Sequence, residues 1–400
     1  MKFSKKLDNL GTETAFAVSA EAKSWSDQGQ RVYPFHLGDI NIATPKIIRD
    51  ATNRFMNNGK NGYCPSEGII ELREALAHDI GSKRGVNYNA ENVVIQPGGK
   101  PTIWKFLSSV MNRGDEVLYP NPGYPIYESQ IRFQGGKPVP YGYIESKNGF
   151  EIDIEKLRKS INPKTKVFIY NNYQNPISAS SSKEEMESLA RLCIENNLWV
   201  LSDDAYYEIR YSEEPPLSIA NIPGMKERTV ILYTFSKRFA MTGWRIGASV
   251  GPKELVKQIS RLNINDESCT NHFIQCALAD IMDKVDEDAK LILAKLRKRR
   301  DLCVKALNAI PGISLESPES TFYLYVNVTK PMMNKGYDDL DQFRLESLRN
   351  TGVSFCTRNH FGTPQKGESE QYIRLAYSGI SRDEIEDGLT LFKDWIENLK

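Results

Sequence analysis

The stretch Thr229–Gly251, TVILYTFSKRFAMTGWRIGASVG, holds the pattern that decides the fold. An apolar run, TVILYTF, ends on Ser236 and Lys237. Arg245 follows, and a second apolar run, IGASVG, comes after it. Neither run alternates polar with apolar residues. That texture predicts strands buried on both faces, in a sheet covered by helices. A lysine and an arginine among hydroxyls at the end of such a strand need a chemical reason.

The same texture recurs upstream in NVVIQ, DEVLYP, KVFIYNN and LWVLSD. Helix-length segments separate the runs. One is SKEEMESLARLCIENN, whose Ser182 and Glu185 have capping-box spacing. Alternating strands and helices predict an α/β fold with a doubly wound sheet. Beyond about residue 285 the texture changes. A long charged helix leads to STFYLYVNVT, another helix, QYIRLAYS and a last helix, which reads as a smaller α+β lobe.

Composition narrows the function classes. The 400 residues are 40% hydrophobic and 26% charged, with a formal net charge of +1. Nothing in that balance draws the chain to nucleic acid or to an anionic membrane. The basic run Lys295–Arg300, KLRKRR, lies in a helical pattern and reads as a solvated face. The six cysteines form no CxxC pair, so no zinc site or disulfide framework is expected, and reduced thiols fit a cytoplasmic protein. No run of about 18 apolar residues is present to span a bilayer.

Polar residues gather where the apolar runs end, which is where α/β sheets bind ligands. QPGGKPTIW offers bare glycines, Lys100 and a proline at a helix start, which suits a phosphate or a plain strand-to-helix turn. YPNPGYPIY places Tyr119, Tyr124 and Tyr127 in one loop, where an aromatic face could cover a flat ring or simply pack. NNYQNPIS offers the amides of Asn171, Asn172 and Asn175, or an Asn/Pro-rich turn. Asp203 and Asp204 follow a buried run, where a carboxylate is costly unless paired. They read as a helix cap or as partners of a protonated ligand nitrogen. A partly desolvated Lys237 can attack an aldehyde, and Arg245, Thr234 and Ser236 can hold a phosphate. Together these meet the needs of pyridoxal 5'-phosphate: an amine, an acid for the pyridine nitrogen, donors for the phenolic oxygen and a phosphate cup.

The chain resembles the class I/II, fold type I, pyridoxal-phosphate-dependent aminotransferases, and within them the branch of bacterial aspartate and alanine aminotransferases. The resemblance runs from TAFAVSAEAKSW and FHLGDINIATP through SKRFAMTGWRIG to QYIRLAYSG. It implies a large domain over 46–285 and a small domain formed by 1–45 with 286–400. It implies that Lys237 bonds to the cofactor and shuttles the substrate proton, with Asp203 at the pyridinium nitrogen. Tyr206 and Asn175 would bind the phenolic oxygen, and Tyr124 would stack on the ring. Gly99, Lys100, Thr234, Ser236 and Arg245 would line the phosphate. Tyr63 would reach the cofactor of a second subunit, which implies a homodimer. Arg374 would clamp the substrate α-carboxylate, with Gly38, Tyr124 and Asn175 beside it.

Three segments depart from the family pattern: GDINI for GxPDF, NPIS for NPTG, and CTRNHFG where PG usually precedes xxFG. Arg358 in the last could meet a side-chain carboxylate or be an exposed arginine, and His360 is equally open. The expected function is transfer of an amino group from an L-amino acid to 2-oxoglutarate or pyruvate by a ping-pong mechanism. A lyase, cyclase or oxidase acting on an amino acid is the alternative that the departures motivate. A non-catalytic effector sensor would carry an attached DNA-binding domain or lack catalytic residues, and Lys237 is present.

Overall fold

The computed structural model describes residues 2–11, 15–146 and 149–398. Seven strands form the central sheet: β1 (Val93–Gln96), β2 (Glu116–Pro120), β3 (Lys137–Tyr141), β4 (Thr165–Tyr170), β5 (Trp199–Asp203), β6 (Thr229–Thr234) and β7 (Gly247–Val250). Their spatial order is β1-β7-β6-β5-β4-β2-β3. β7 pairs antiparallel with β6 and β1, and every other pairing is parallel. All residues of β1, β2, β6 and β7 are buried. Each buried aliphatic side chain there contributes about 1.5–3 kcal/mol.

All six apolar runs are strands of this sheet. β3 is not foreshadowed, because its sequence KPVPY carries two prolines. Proline is confined to sheet edges, and β3 is an edge strand that pairs only with β2. The N–H of Lys137 donates to the Asp115 carbonyl, 2.8 Å away on the β2 side.

A second, three-stranded antiparallel sheet has the order β8-β10-β9, with β8 (Tyr323–Asn327), β9 (Cys356–Thr357) and β10 (Tyr372–Ala376). Tyr33–Pro34 pairs in parallel with Val353–Ser354 and brings the N-terminal segment to this part. The 23-residue helix Asp286–Asn308 packs beside it. Its basic run does more than meet solvent. Arg297, Arg299 and Arg300 donate to the carbonyls of Tyr211, Ser378 and Pro318.

The helix Lys183–Glu195 starts where the spacing predicts, with Ser182 Oγ accepting the Glu185 N–H at 3.1 Å. The capping box is only half formed. The Glu185 carboxylate accepts from the Ile152 N–H at 2.6 Å instead, tying the helix to a neighbouring hairpin.

Candidate active site

One cavity of about 580 Å³ opens at the carboxyl ends of the central strands. Gly99 and Lys100 follow β1, Tyr124 follows β2, and Asn175 follows β4. Asp203 ends β5, Thr234 ends β6, and Ser236, Lys237 and Arg245 fill the link to β7. Gly38, Tyr323, His360 and Arg374 close the other side. Tyr206 lies between the two groups and joins them, its hydroxyl 2.6 Å from that of Tyr323.

The strand that ends at Thr234 runs into a four-residue helical turn, Phe235–Arg238. Thr234 Oγ1 accepts the Ser236 N–H at 3.2 Å and so caps the turn. Lys237 projects from it and donates from Nζ to the Gly38 carbonyl at 2.9 Å. Arg245 has φ +54° and donates to the Thr242 carbonyl at 2.7 Å. Gly98 faces it with φ +102°, and a Cβ there would lie 2.1 Å from the Arg245 guanidinium. Only glycine satisfies both conditions. Gly99 then caps the helix Lys100–Val110, where Pro101 carries no N–H and the Thr102 N–H donates to the Gly99 carbonyl at 3.0 Å. A helix N-terminus, two hydroxyls and a guanidinium make an anion cup.

Asp203 forms the floor. Burial lifts its carboxyl to about 6, and Asp204 adds to that. The Tyr127 hydroxyl at 2.6 Å, the Ala205 N–H at 3.2 Å and the charge of Lys237 oppose the rise. Asp204 points away into a separate buried pair with Arg84 Nε at 2.7 Å. A cation beside the Asp203 carboxylate would relieve its burial cost.

Arg374, in β10, is buried and flat between two rings, 4.4 Å from the Tyr323 centroid and 4.7 Å from that of Phe361. Its NH1 donates to Asn175 Oδ1 at 3.1 Å and its NH2 to the His36 carbonyl at 2.6 Å. Its Nε is buried and has no partner among the described residues, which suits an incoming carboxylate. Asn175 is held in turn by Asn171, whose Nδ2 donates to the Asp203 carbonyl at 2.9 Å. A chain of amides thus connects the floor to the arginine.

The cavity brings together Gly38, Gly99, Lys100, Tyr124, Asn175, Asp203, Tyr206, Thr234, Ser236, Lys237, Arg245 and Arg374. Tyr63 stands apart, 89% exposed between two helices. Arg358 is not exposed, and the carboxylate it meets is that of Glu368 in its own chain rather than one on a substrate. It is buried outside the cavity lining, forked onto Glu368 at 2.8 and 2.9 Å and bonded to Asn121 at 2.7 Å. Asn172 serves its own loop, accepting from Ser181 N–H at 3.0 Å. Tyr119 bonds Glu128 at 3.0 Å.

The departures have local reasons. In GDINI, Asp39 accepts from the Thr242 hydroxyl at 2.6 Å and Ile40 is buried in the aromatic core. In NPIS, Ser178 has φ +59°, unusual for a residue with a side chain. Its hydroxyl is 2.6 Å from Thr321 Oγ1 and donates to the Tyr323 carbonyl at 2.9 Å, which compensates. Sequence reasoning missed the roles of Tyr127 and Tyr323. Tyr127 sits in the first turn of the helix Ile126–Phe133, just past the loop that carries Tyr124, and that nearness is a usable signal. Tyr323 sits in an aromatic strand and carries none.

The chain matches the family model "Aminotransferase class I and II" over residues 32–391. It is 30% identical to the aspartate aminotransferase of Bacillus subtilis, over 99% of each chain. Among solved structures, a Thermus thermophilus aspartate aminotransferase with maleate superposes with a TM-score of 0.89 at 28% identity, covering 98% of this chain and 99% of that one. The alanine aminotransferase of Pyrococcus furiosus superposes with a TM-score of 0.90 at 26% identity, covering 99% and 100%. Family members use pyridoxal 5'-phosphate, and the residues here fit it: an amine, a buried acid, an anion cup bare of Cβ at Gly98, and an arginine with an unused donor. A fold type I sheet with this cavity at its strand ends, together with these likenesses, makes the chain a member of the class I and II aminotransferases, the pyridoxal-phosphate-dependent enzymes that transfer amino groups between amino acids and 2-oxo acids.

Proposed function

We propose that this enzyme moves the amino group of an acidic L-amino acid, aspartate first among them, to 2-oxoglutarate or pyruvate in two half-reactions. Arg374 carries the reading. It is a buried guanidinium whose Nε has no partner among the described residues, held by Asn175 and lining the same cavity as Lys237. The names of the relatives support aspartate as the donor.

The bound cofactor supplies an electron sink for the charge left when the substrate Cα–H breaks. The chain's residues do the rest. Arg374 holds the α-carboxylate and so fixes the Cα beside Lys237. Lys237 Nζ would take the substrate Cα proton and hand it on to the carbon on the far side of the amino nitrogen. Asp203 would hold the ring nitrogen of the cofactor as its cation, and the Tyr127 hydroxyl, 2.6 Å from Asp203 Oδ2, would steady the carboxylate. Asn175 and Tyr206 would donate toward the phenolic oxygen, while Gly99, Lys100, Thr234, Ser236 and Arg245 would hold the phosphate and Tyr124 would cover the ring.

We read the chain as two lobes, 46–285 and 1–45 with 286–400, working as a cytoplasmic homodimer. The pairing of Tyr33–Pro34 with Val353–Ser354 supports the lobes. Exposed Met56, Tyr63, Ile70 and Ile264 support a partner surface. Their segments are tied together by Arg54–Asp280, Asn263–Ser66 and His272–Gly62 bonds.

The test follows the visible band of the purified enzyme while amino acids are added singly, without an acceptor. Conversion of the band by aspartate, reversed by 2-oxoglutarate or pyruvate, is expected. Oxygen uptake, or product without amino transfer, would move the reading to a lyase or oxidase.

A further inference from the structure

Phe361, whose ring lies 4.7 Å from the Arg374 guanidinium, belongs to a four-residue turn, Arg358–Phe361, that directly follows β9. So short a turn has little bonding of its own, and the Arg358 side chain supplies it. Its Nη1 donates to the Gly362 carbonyl at 3.0 Å, just past Phe361, and its Nε and Nη2 fork onto Glu368 at 2.9 and 2.8 Å. Nη2 also reaches Asn121 Oδ1 at 2.7 Å. Asn121 follows β2 of the other sheet and begins the loop that leads to Tyr124. Its Nδ2 donates to the Thr363 carbonyl at 2.9 Å, so both ends of its amide grip the same segment. Two residues on, the Gly123 N–H donates to the Phe361 carbonyl itself at 2.9 Å. Gly362, at φ +109°, lets the chains approach this closely, since a Cβ there would lie 2.7 Å from Asn121 Oδ1. Arg358 and Asn121 are both buried, and neither lines the cavity. Phe361 is therefore held over Arg374 from outside the cavity.

We infer that Arg358 is a positioning residue for the substrate clamp. It binds the turn that carries Phe361 to the loop before Tyr124, and so keeps the Arg374 guanidinium flat and aimed for the α-carboxylate. A lysine would supply the charge but not the fork, which meets Glu368, Gly362 and Asn121 at once. The inference rests on the reading of Arg374 as the α-carboxylate clamp.

The experiment measures kcat and KM for aspartate, or for whichever amino acid converts the wild-type cofactor band, in the holoenzyme. The variants are Arg358→Met, Arg358→Lys, Asn121→Ala and the double variant Arg358→Met with Asn121→Ala. Each single substitution is expected to raise KM about tenfold while kcat changes by less than about threefold, and the lysine variant should behave like the methionine one. The double variant should be little worse than either single one, because the two side chains act through one bond. Asn121→Ala leaves the fork on Glu368 in place and carries the test independently should Arg358→Met not fold. In the cofactor-free protein, the Gly123 amide should exchange its hydrogen about tenfold faster in each variant. An unchanged KM, full recovery by lysine, or additive losses in the double variant would overturn the proposal while leaving the aminotransferase reading standing. An unchanged KM in Arg374→Ala would overturn the clamp reading and this proposal together.

Discussion

The phenol of Tyr127 lies 2.6 Å from Oδ2 of Asp203, inside a cavity wall where both side chains are buried. That bond is the strongest force opposing the rise of the Asp203 carboxyl caused by burial. Tyr127→Phe keeps the ring and deletes the bond. It is expected to raise the Asp203 carboxyl further and to lower kcat/KM about tenfold. Steady-state rates across pH check this, and a variant with an unchanged rate and pH profile would contradict it.

The same carboxyl sets a pH dependence in the cofactor-free protein. Its value rises from 3.8 to about 6 on folding. The folded state therefore keeps a proton that the unfolded chain releases, and stability is lost as pH climbs through that window. Asp203→Asn should stabilise the cofactor-free protein at about pH 8 by on the order of 2 kcal/mol, and by much less near pH 4. Urea unfolding at the two pH values decides it.

Arg374 should dominate substrate binding. Arg374→Ala leaves an incoming carboxylate without its fork and is expected to cost about 3 kcal/mol, or about 100-fold in kcat/KM. Arg374→Lys should recover little, because lysine lacks the paired geometry. Equal activity of lysine and arginine at this position would show that charge alone suffices.

Arg84 and Asp204 form a pair of the other kind, structural and dry. Arg84 also lies 3.6 Å from the Tyr207 ring centroid. Arg84→Met strands a buried carboxylate and should destabilise the fold by about 3–5 kcal/mol. Adding Asp204→Asn should return part of that loss. Denaturant midpoints of the two variants measure it.

Mixing tests Tyr63. Chains with Lys237→Ala and chains with Tyr63→Ala should each be impaired, and mixed dimers should regain activity, because one site then holds both native residues. No gain on mixing would place Tyr63 outside the neighbouring site.

Much of this site was legible because strand ends carry their chemistry in short polar runs. Lys237, Asp203 and Asn175 each follow an apolar run directly, so sequence order predicts their place. Arg358 was misread because charge alone does not reveal a partner, and Glu368 lies ten residues away along an irregular segment. Tyr323 gave no signal, since its value comes from facing Tyr206 across the two sheets. The capping box failed for a related reason: a distant Ile152 N–H outcompeted the local one for Glu185.

Pro138 and Pro140 in β3 set the character of this rim of the sheet. The Lys137 N–H points toward β2, so the alternate positions 138 and 140 point outward. Both outward donors are missing, because proline has none. The open rim of the sheet therefore offers a foreign strand no donors at those two positions, and a growing fibril would find no template there. Self-association is left to side-chain surfaces, where it can be specific and finite.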